Sequence, residues 1–182
     1  GDEVVVPLPA FGLYETIVRA AHGRVVGLDT SGAGFQIREK GLRAVVGPRT
    51  RAIVITSPNN PTGCVLDAES LDAVARVAAG RGLVVVCDDV YNRLCYEEGY
   101  ERFAVRHPEL RDQTVVVDSF SKPWAMTGWR LGWLAAAPAL KSQIQKMHQY
   151  LVSSVPSFLQ EAAVAALGCD VEPMRQNYRR RR

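Results

Sequence analysis

The sequence predicts an α/β fold: a three-layer α/β/α arrangement around a mostly parallel sheet. Three observations carry this. Short apolar runs alternate with stretches of helical period along the whole chain. Two of the runs, from Ala52 and from Leu83, are nearly continuous in Val and Ile, as in strands covered on both faces. Clusters of unusual polar residues stand after these runs, where the loops of an open sheet carry chemistry.

Taken in order, six runs read as strands: Glu3–Val6, Arg24–Leu28, Arg51–Thr56, Leu83–Cys87, Thr114–Asp118 and Arg130–Ala136. Phe11–His22, after a Pro-rich turn, reads as the first helix. Phe35–Leu42 offers a short helix in the least patterned part of the chain. Asp67–Gly80 opens on a good N-cap, spaces Leu71, Val74 and Val77/Ala78 on one face, and is expected to stop at Gly80 and Gly82. Ala139–Tyr150 and Pro156–Leu167 complete the helical stretches.

The length of 182 residues suits one domain with a sizeable core. A net charge of +3 gives no argument for a nucleic-acid partner. The basic run Tyr178-Arg179-Arg180-Arg181-Arg182 has no interleaved aromatics and reads as the middle of a solvated amphipathic helix. No apolar run approaches membrane-spanning length, and Gly1-Asp2-Glu3-Val4 lacks the basic start of a signal peptide. A cytoplasmic protein is therefore expected, with both ends of the chain looking unfinished. Cys64, Cys87, Cys95 and Cys169 form no CxxC pair, and no His stands at zinc spacing, so neither disulfides nor a metal site are expected. Cys87 reads as a buried small hydrophobe. His22, His107 and His148 are scattered and read as structural or exposed.

Three clusters follow three strands. The first, Ser57-Pro58-Asn59-Asn60-Pro61-Thr62-Gly63, is a rigid turn presenting two amides, and its plainer reading is a simple connection rich in turn formers. The second, Asp88-Asp89-Val90-Tyr91, puts adjacent carboxylates at the end of a buried strand, where they need a partner. A protonated pyridine nitrogen is one such partner; a helix N-cap or a metal are the others. A magnesium site needs phosphate or further carboxylates, and the other strand ends read as supplying none. The third runs from Ser119 through Lys122 to Arg130. It holds two hydroxyls and a forked cation suited to phosphate, with one of only four lysines (Lys40, Lys122, Lys141 and Lys146) among aromatics. Burial near cations would make that amine nucleophilic, whereas Lys141 and Lys146 read as surface charge. Trp124 stands close enough to Lys122 to line the same pocket, while Trp129 and Trp133 read as packing.

These three motifs, in this order and spacing, resemble the signature of class I/II aminotransferases, fold type I enzymes dependent on pyridoxal 5'-phosphate (PLP). Pro7-Leu8-Pro9-Ala10-Phe11 is similar to the segment that precedes them in that family. The resemblance implies that residues 1–182 are a single cofactor-binding large domain, with a small domain absent and these residues alone inactive. It implies that Lys122 forms the Schiff base with PLP and moves the proton, that Asp88 pairs with the ring nitrogen, and that Tyr91 and Asn60 bond the ring oxygen. Phe11 would stack on the ring, and Ser119, Ser121 and Arg130 would hold the phosphate. Asp89 stands where the family often has Glu. Amino acid and 2-oxo acid substrates and a homodimer are implied as well. A lyase or decarboxylase of the same fold, or a PLP-sensing regulator domain, are the alternatives; the intact Asn-Asn-Pro-Thr-Gly and Asp-Asp-Val-Tyr patterns favour transamination.

Overall fold

In the computed structural model, which describes residues 1–96 and 98–181, six strands form one sheet in the order β2-β1-β3-β4-β5-β6. They are β1 (Glu3–Leu8), β2 (Arg24–Asp29), β3 (Thr50–Thr56), β4 (Val84–Asp88), β5 (Thr114–Ser119) and β6 (Gly132–Ala136). β1 to β5 pair in parallel and β6 runs antiparallel to β5. The helices are α1 (Leu13–Ala20), α2 (Glu39–Val45), α3 (Ala68–Arg81), α4 (Phe103–Arg106), α5 (Pro138–Val152), α6 (Ser157–Leu167) and α7 (Glu172–Arg181). A mostly parallel sheet flanked by helices is the α/β fold expected.

The main core joins alternate strand residues (Val5, Ile53, Ile55, Val85 and Cys87) to Leu42 of α2 and to Leu71, Val74, Val77 and Ala78 of α3. On the central strand β3, Ile53, Val54 and Ile55 are all buried, so both of its faces are covered. β4 is less enclosed, with Val84 and Val86 only partly buried. Cys87 is buried as a small hydrophobe. A second, smaller cluster of Phe120, Leu131 and Ala166 lies under the loop between β5 and β6.

Several boundaries differ from the expected ones for local reasons. α3 runs through Gly80 and ends only at Gly82, whose φ of +63° closes the helix without a Cβ penalty. The short helix expected at Phe35–Leu42 begins later, at Glu39, because Phe35 itself has a φ of +64° and turns the chain. The last strand starts at Gly132, since Arg130 is left-handed at φ +53°. α7 covers the basic C-terminal run as far as Arg181; Arg182 lies outside the described residues.

Asp67 caps α3 by accepting the Ser70 backbone N–H at 2.7 Å and pairs with Arg38 at 2.8 Å. That guanidinium, and then the cap bonds, hold its carboxyl down at about 2. Asp67→Ala is expected to lower stability at pH 7 by about 1 kcal/mol, the usual worth of such a cap. Urea unfolding of the parent and the variant checks this, and unchanged midpoints would count against the cap.

Candidate active site

The carboxyl ends of β1, β3, β4 and β5 lie along one edge of the sheet, and each feeds a loop into the same cavity of about 450 Å³. After β1 come Phe11 and Tyr14; at and after β3, Thr56 and Asn60; at and after β4, Asp88 and Tyr91; at and after β5, Asp118, Ser119, Ser121 and Lys122. Arg130 joins them from just before β6. Because β6 is antiparallel, its first residues lie at the edge where the parallel strands end, and Gly132 pairs with Ser119. All eight residues expected at the site, namely Phe11, Asn60, Asp88, Tyr91, Ser119, Ser121, Lys122 and Arg130, line this one cavity.

Asp88 is held by groups on other elements. The Tyr14 phenol donates to its Oδ2 at 2.5 Å, and the Val90 backbone N–H reaches Oδ1 at 3.3 Å. The Tyr14 oxygen also lies 2.8 Å from the Thr56 hydroxyl. A phenol has one proton, and here Asp88 takes it, so Thr56 donates to Tyr14. Burial, reinforced by the Asp88 carboxylate, pushes the Tyr14 phenol well above its ordinary range, which keeps it a donor. Lys122 Nζ sits 5.7 Å from the centre of the Tyr91 ring. Ser119 Oγ accepts the Ser121 backbone N–H at 3.0 Å, and Arg130 Nη1 donates to the Thr127 carbonyl at 2.9 Å. Phe11 stands at the cavity rim, 44% exposed, edge-on to Tyr14 at 5.9 Å.

The donor set fits a phosphorylated pyridine aldehyde. It offers an amine for the aldehyde, a carboxylate for a protonated ring nitrogen, a phenol and an amide for a ring oxygen, and hydroxyls with a guanidinium for a phosphate.

His107 is structural, one of the two readings expected: its ring nitrogens lie 3.0 Å from Asp72 and 2.9 Å from Glu109. Two features depart from the expectation. Trp124 does not line this cavity; it packs on Phe120, with ring centres 4.9 Å apart, beneath the Arg93 guanidinium. The strand ends do supply a further carboxylate, because β5 carries the buried Asp118 beside the site. Among the described residues, no group of three or more His, Cys, Asp and Glu could hold a metal ion. Sequence reasoning also missed Tyr14 and Thr56. Tyr14 stands three residues after Phe11, at helical spacing that brings both to one side, and Thr56 is the last residue of its strand; these were the available signals.

Comparison with known proteins agrees with the fold. The family model for aminotransferase class I and II matches residues 1–182. The aspartate aminotransferase of Musicola paradisiaca is 37% identical over 186 residues, covering 100% of this chain and 46% of the relative. The arginine–pyruvate transaminase of Pseudomonas aeruginosa is 36% identical, covering 100% of this chain and 47% of the relative. The solved structure of aspartate aminotransferase from Thermus thermophilus with maleate superposes with a TM-score of 0.93 at 34% identity, covering 100% of this chain and 48% of that one. The fold is an α/β domain with a cavity at the carboxyl ends of its parallel strands. The chain belongs to the class I and II aminotransferase family. It spans about half the length of the curated relatives it matches.

Asp89 contrasts with its neighbour. It is buried, its Oδ2 has no hydrogen-bond partner, and its nearest cation, Arg102 Nε, is 3.8 Å away. Burial pushes its carboxyl from 3.8 up to about 7. The folded protein therefore keeps a proton that the unfolded chain releases, and this contribution to stability is lost as pH rises from about 4 through 7. Asp89→Asn, neutral at every pH, is expected to gain melting temperature over the parent progressively from about pH 4 to about pH 7 and to level off above that. Melting curves across that range test it, and a pH-independent difference would sink the idea.

Proposed function

We propose that the native protein is a PLP-dependent aminotransferase moving an amino group between an amino acid and a 2-oxo acid. The observation that carries this reading is the convergence of Lys122, Asp88, Tyr91, Asn60, Ser119, Ser121 and Arg130 on one cavity. The names of the relatives and of the solved structure above speak for transamination rather than elimination or ligand sensing. The same reading takes residues 1–182 as the cofactor-binding large domain of a cytoplasmic homodimer. Exposed apolar side chains such as Tyr150 and Leu151 on α5 and Phe158 on α6 offer surface that an assembly would cover. Among the described residues, no helix is long and apolar enough to cross a membrane.

PLP, when bound, supplies an electron sink that stabilises negative charge at the substrate α-carbon. The residues of this chain do the rest. Lys122 Nζ would be the amine that anchors the cofactor and, when free, the base that takes and returns the substrate α-proton. Asp88 would keep a proton on the ring nitrogen, because an anion at that position stabilises the charged ring. Tyr14 donates to the Asp88 carboxylate and is itself held by Thr56. Tyr91 and Asn60 would donate to the ring oxygen. Ser119, Ser121 and Arg130 would hold the phosphate, for which the Arg fork is suited. Phe11 would shield the ring from water.

Lys122→Ala is expected to abolish the visible absorbance that PLP gains on the parent protein and to lower amino transfer by at least about a thousandfold, as the loss of a covalent base does. A parallel absorbance scan and a transamination assay with several amino donors check both. A band surviving in the variant would move the cofactor to another lysine. Full activity without Lys122 would end the reading.

A further inference from the structure

At the inner wall of the cavity, two buried polar residues from different strand ends face each other, and of the two Asp118 lines the cavity. Asn92 follows Tyr91 and is 6% exposed; Asp118 precedes Ser119 and is 7% exposed. The Asn92 amide donates to Asp118 Oδ2 at 2.6 Å and to the Asp89 carbonyl at 2.6 Å. The second carboxylate oxygen of Asp118 accepts the Ser119 backbone N–H at 2.7 Å. One amide thus uses its nitrogen on two acceptors, and one carboxylate uses both of its oxygens. The two residues are 26 positions apart, so this bond closes a long loop.

The placement gives the pair its meaning. The backbone bond from Asp89 N–H to the Val117 carbonyl, at 2.9 Å, ties the two chains as they leave the sheet. Past it the chains diverge, one to Tyr91 and the other to Ser119, Ser121 and Lys122. The Asn92–Asp118 bond spans that divergence. A buried amide facing a carboxylate stabilises a fold no better than a well-packed apolar pair, but it accepts only one geometry. The residue types are also demanding. A serine at position 92 brings a single donor, and an amide at position 118 brings a single acceptor oxygen for two donors.

We propose that Asn92 and Asp118 form a clamp that sets the Tyr91 loop against the Ser119–Lys122 loop, making both positioning residues for the cofactor. The proposal rests on the PLP reading above. Tyr91 and Lys122 arrive on separate loops, with the amine 5.7 Å from the ring centre, and the clamp holds that relation. Neither clamp residue needs to touch the ligand. Each is bonded to the backbone of a segment that reaches it: Asn92 to the turn carrying Tyr91, and Asp118 to Ser119.

The test is PLP affinity, read by visible-absorbance titration on the native protein, for the parent, Asp118→Asn, Asn92→Asp and the double swap Asn92→Asp/Asp118→Asn. Asp118→Asn leaves one donor facing another, and Asn92→Asp sets carboxylate against carboxylate. Each is expected to weaken PLP binding roughly tenfold, the usual cost of one buried unmade bond. In the double swap an amide again faces a carboxylate across the gap, while the Asp89 carbonyl still lacks its donor, so the loss of affinity is expected to be smaller than the sum of the two single losses. A role in general stability alone would instead lower the unfolding midpoint of the variants and leave the PLP affinity of the folded protein unchanged. Single variants that bind PLP like the parent, or a double swap that loses the sum of both, overturn the clamp. If Asn92→Asp does not fold, Asn92→Ala alone and with Asp118→Asn takes its place: a combined loss no larger than either single one supports the clamp, and an additive loss overturns it. A parent that takes up no PLP on Lys122 removes the PLP reading and the clamp together, whereas normal parental uptake with unaffected variants removes the clamp alone.

Discussion

The site depends on the register in which β3, β4 and β5 pair. Thr56 stands opposite Asp88, and Asp88 opposite Val117. Parallel strands all point the same way, so this register decides which side chain is the last on each strand and which is the first in each loop. A slip of one residue would turn Asp88 to the other face of the sheet and replace it with a neighbour. The nearly unbroken Val and Ile of β3 and β4, gripped by α3 through Leu71, Val74 and Val77, are what prevent such a slip. The core on one side of the sheet thereby keeps the order of polar groups at its edge.

Two adjacent carboxylates at the end of β4 show how differently burial can be handled. Asp88 faces the cavity and accepts a phenol from α1 that a β3 hydroxyl holds in turn, so its charge is met from α1 and its own turn. Asp89 points away, with a buried oxygen lacking a partner and an arginine just beyond hydrogen-bond distance. Alternation along an extended chain sends neighbours to opposite sides, so one residue meets the ligand site and the next meets the protein. Asp118, the next buried acid, resolves the same problem a third way, with two neutral donors. Its carboxyl is still raised by burial, which those donors only partly offset.

Much of this was legible in the sequence, and the reasons are local. The six strands and most helices follow from apolar period and turn residues, which short-range sterics and burial enforce. Seven of the eight site residues fell within three motifs whose composition is unusual for simple loops, and Phe11 came from the Pro-rich segment after the first strand. What was not legible depends on distant pairings. Tyr14 reaches Asp88 across 74 residues, and Asn92 reaches Asp118 across 26; no spacing rule links them. Trp124 was misjudged because nearness in sequence to Lys122 says nothing about which side of a turn a side chain takes, and the Phe120 cluster drew it inward. Asp118 was passed over because it reads as the end of a strand rather than as part of a motif.

The direction of β6 was the other hidden element, though its cause stands in the sequence. Parallel neighbours need a crossover, usually a helix of three or more turns. The segment from Phe120 to Leu131 has only a 3-10 turn, Thr127–Trp129, and cannot carry the chain back across the sheet. The strand must therefore return antiparallel, and that return brings Arg130 to the edge where Ser119 ends. Gly132 makes the return possible, since a Cβ there would lie 2.9 Å from the Asp118 carbonyl oxygen. Ala125 and Arg130 accept left-handed backbone in the same segment, at φ +53° each, at about 1 kcal/mol or more apiece. Two residues with unfavourable backbone thus lie on the stretch that carries Lys122 and Arg130.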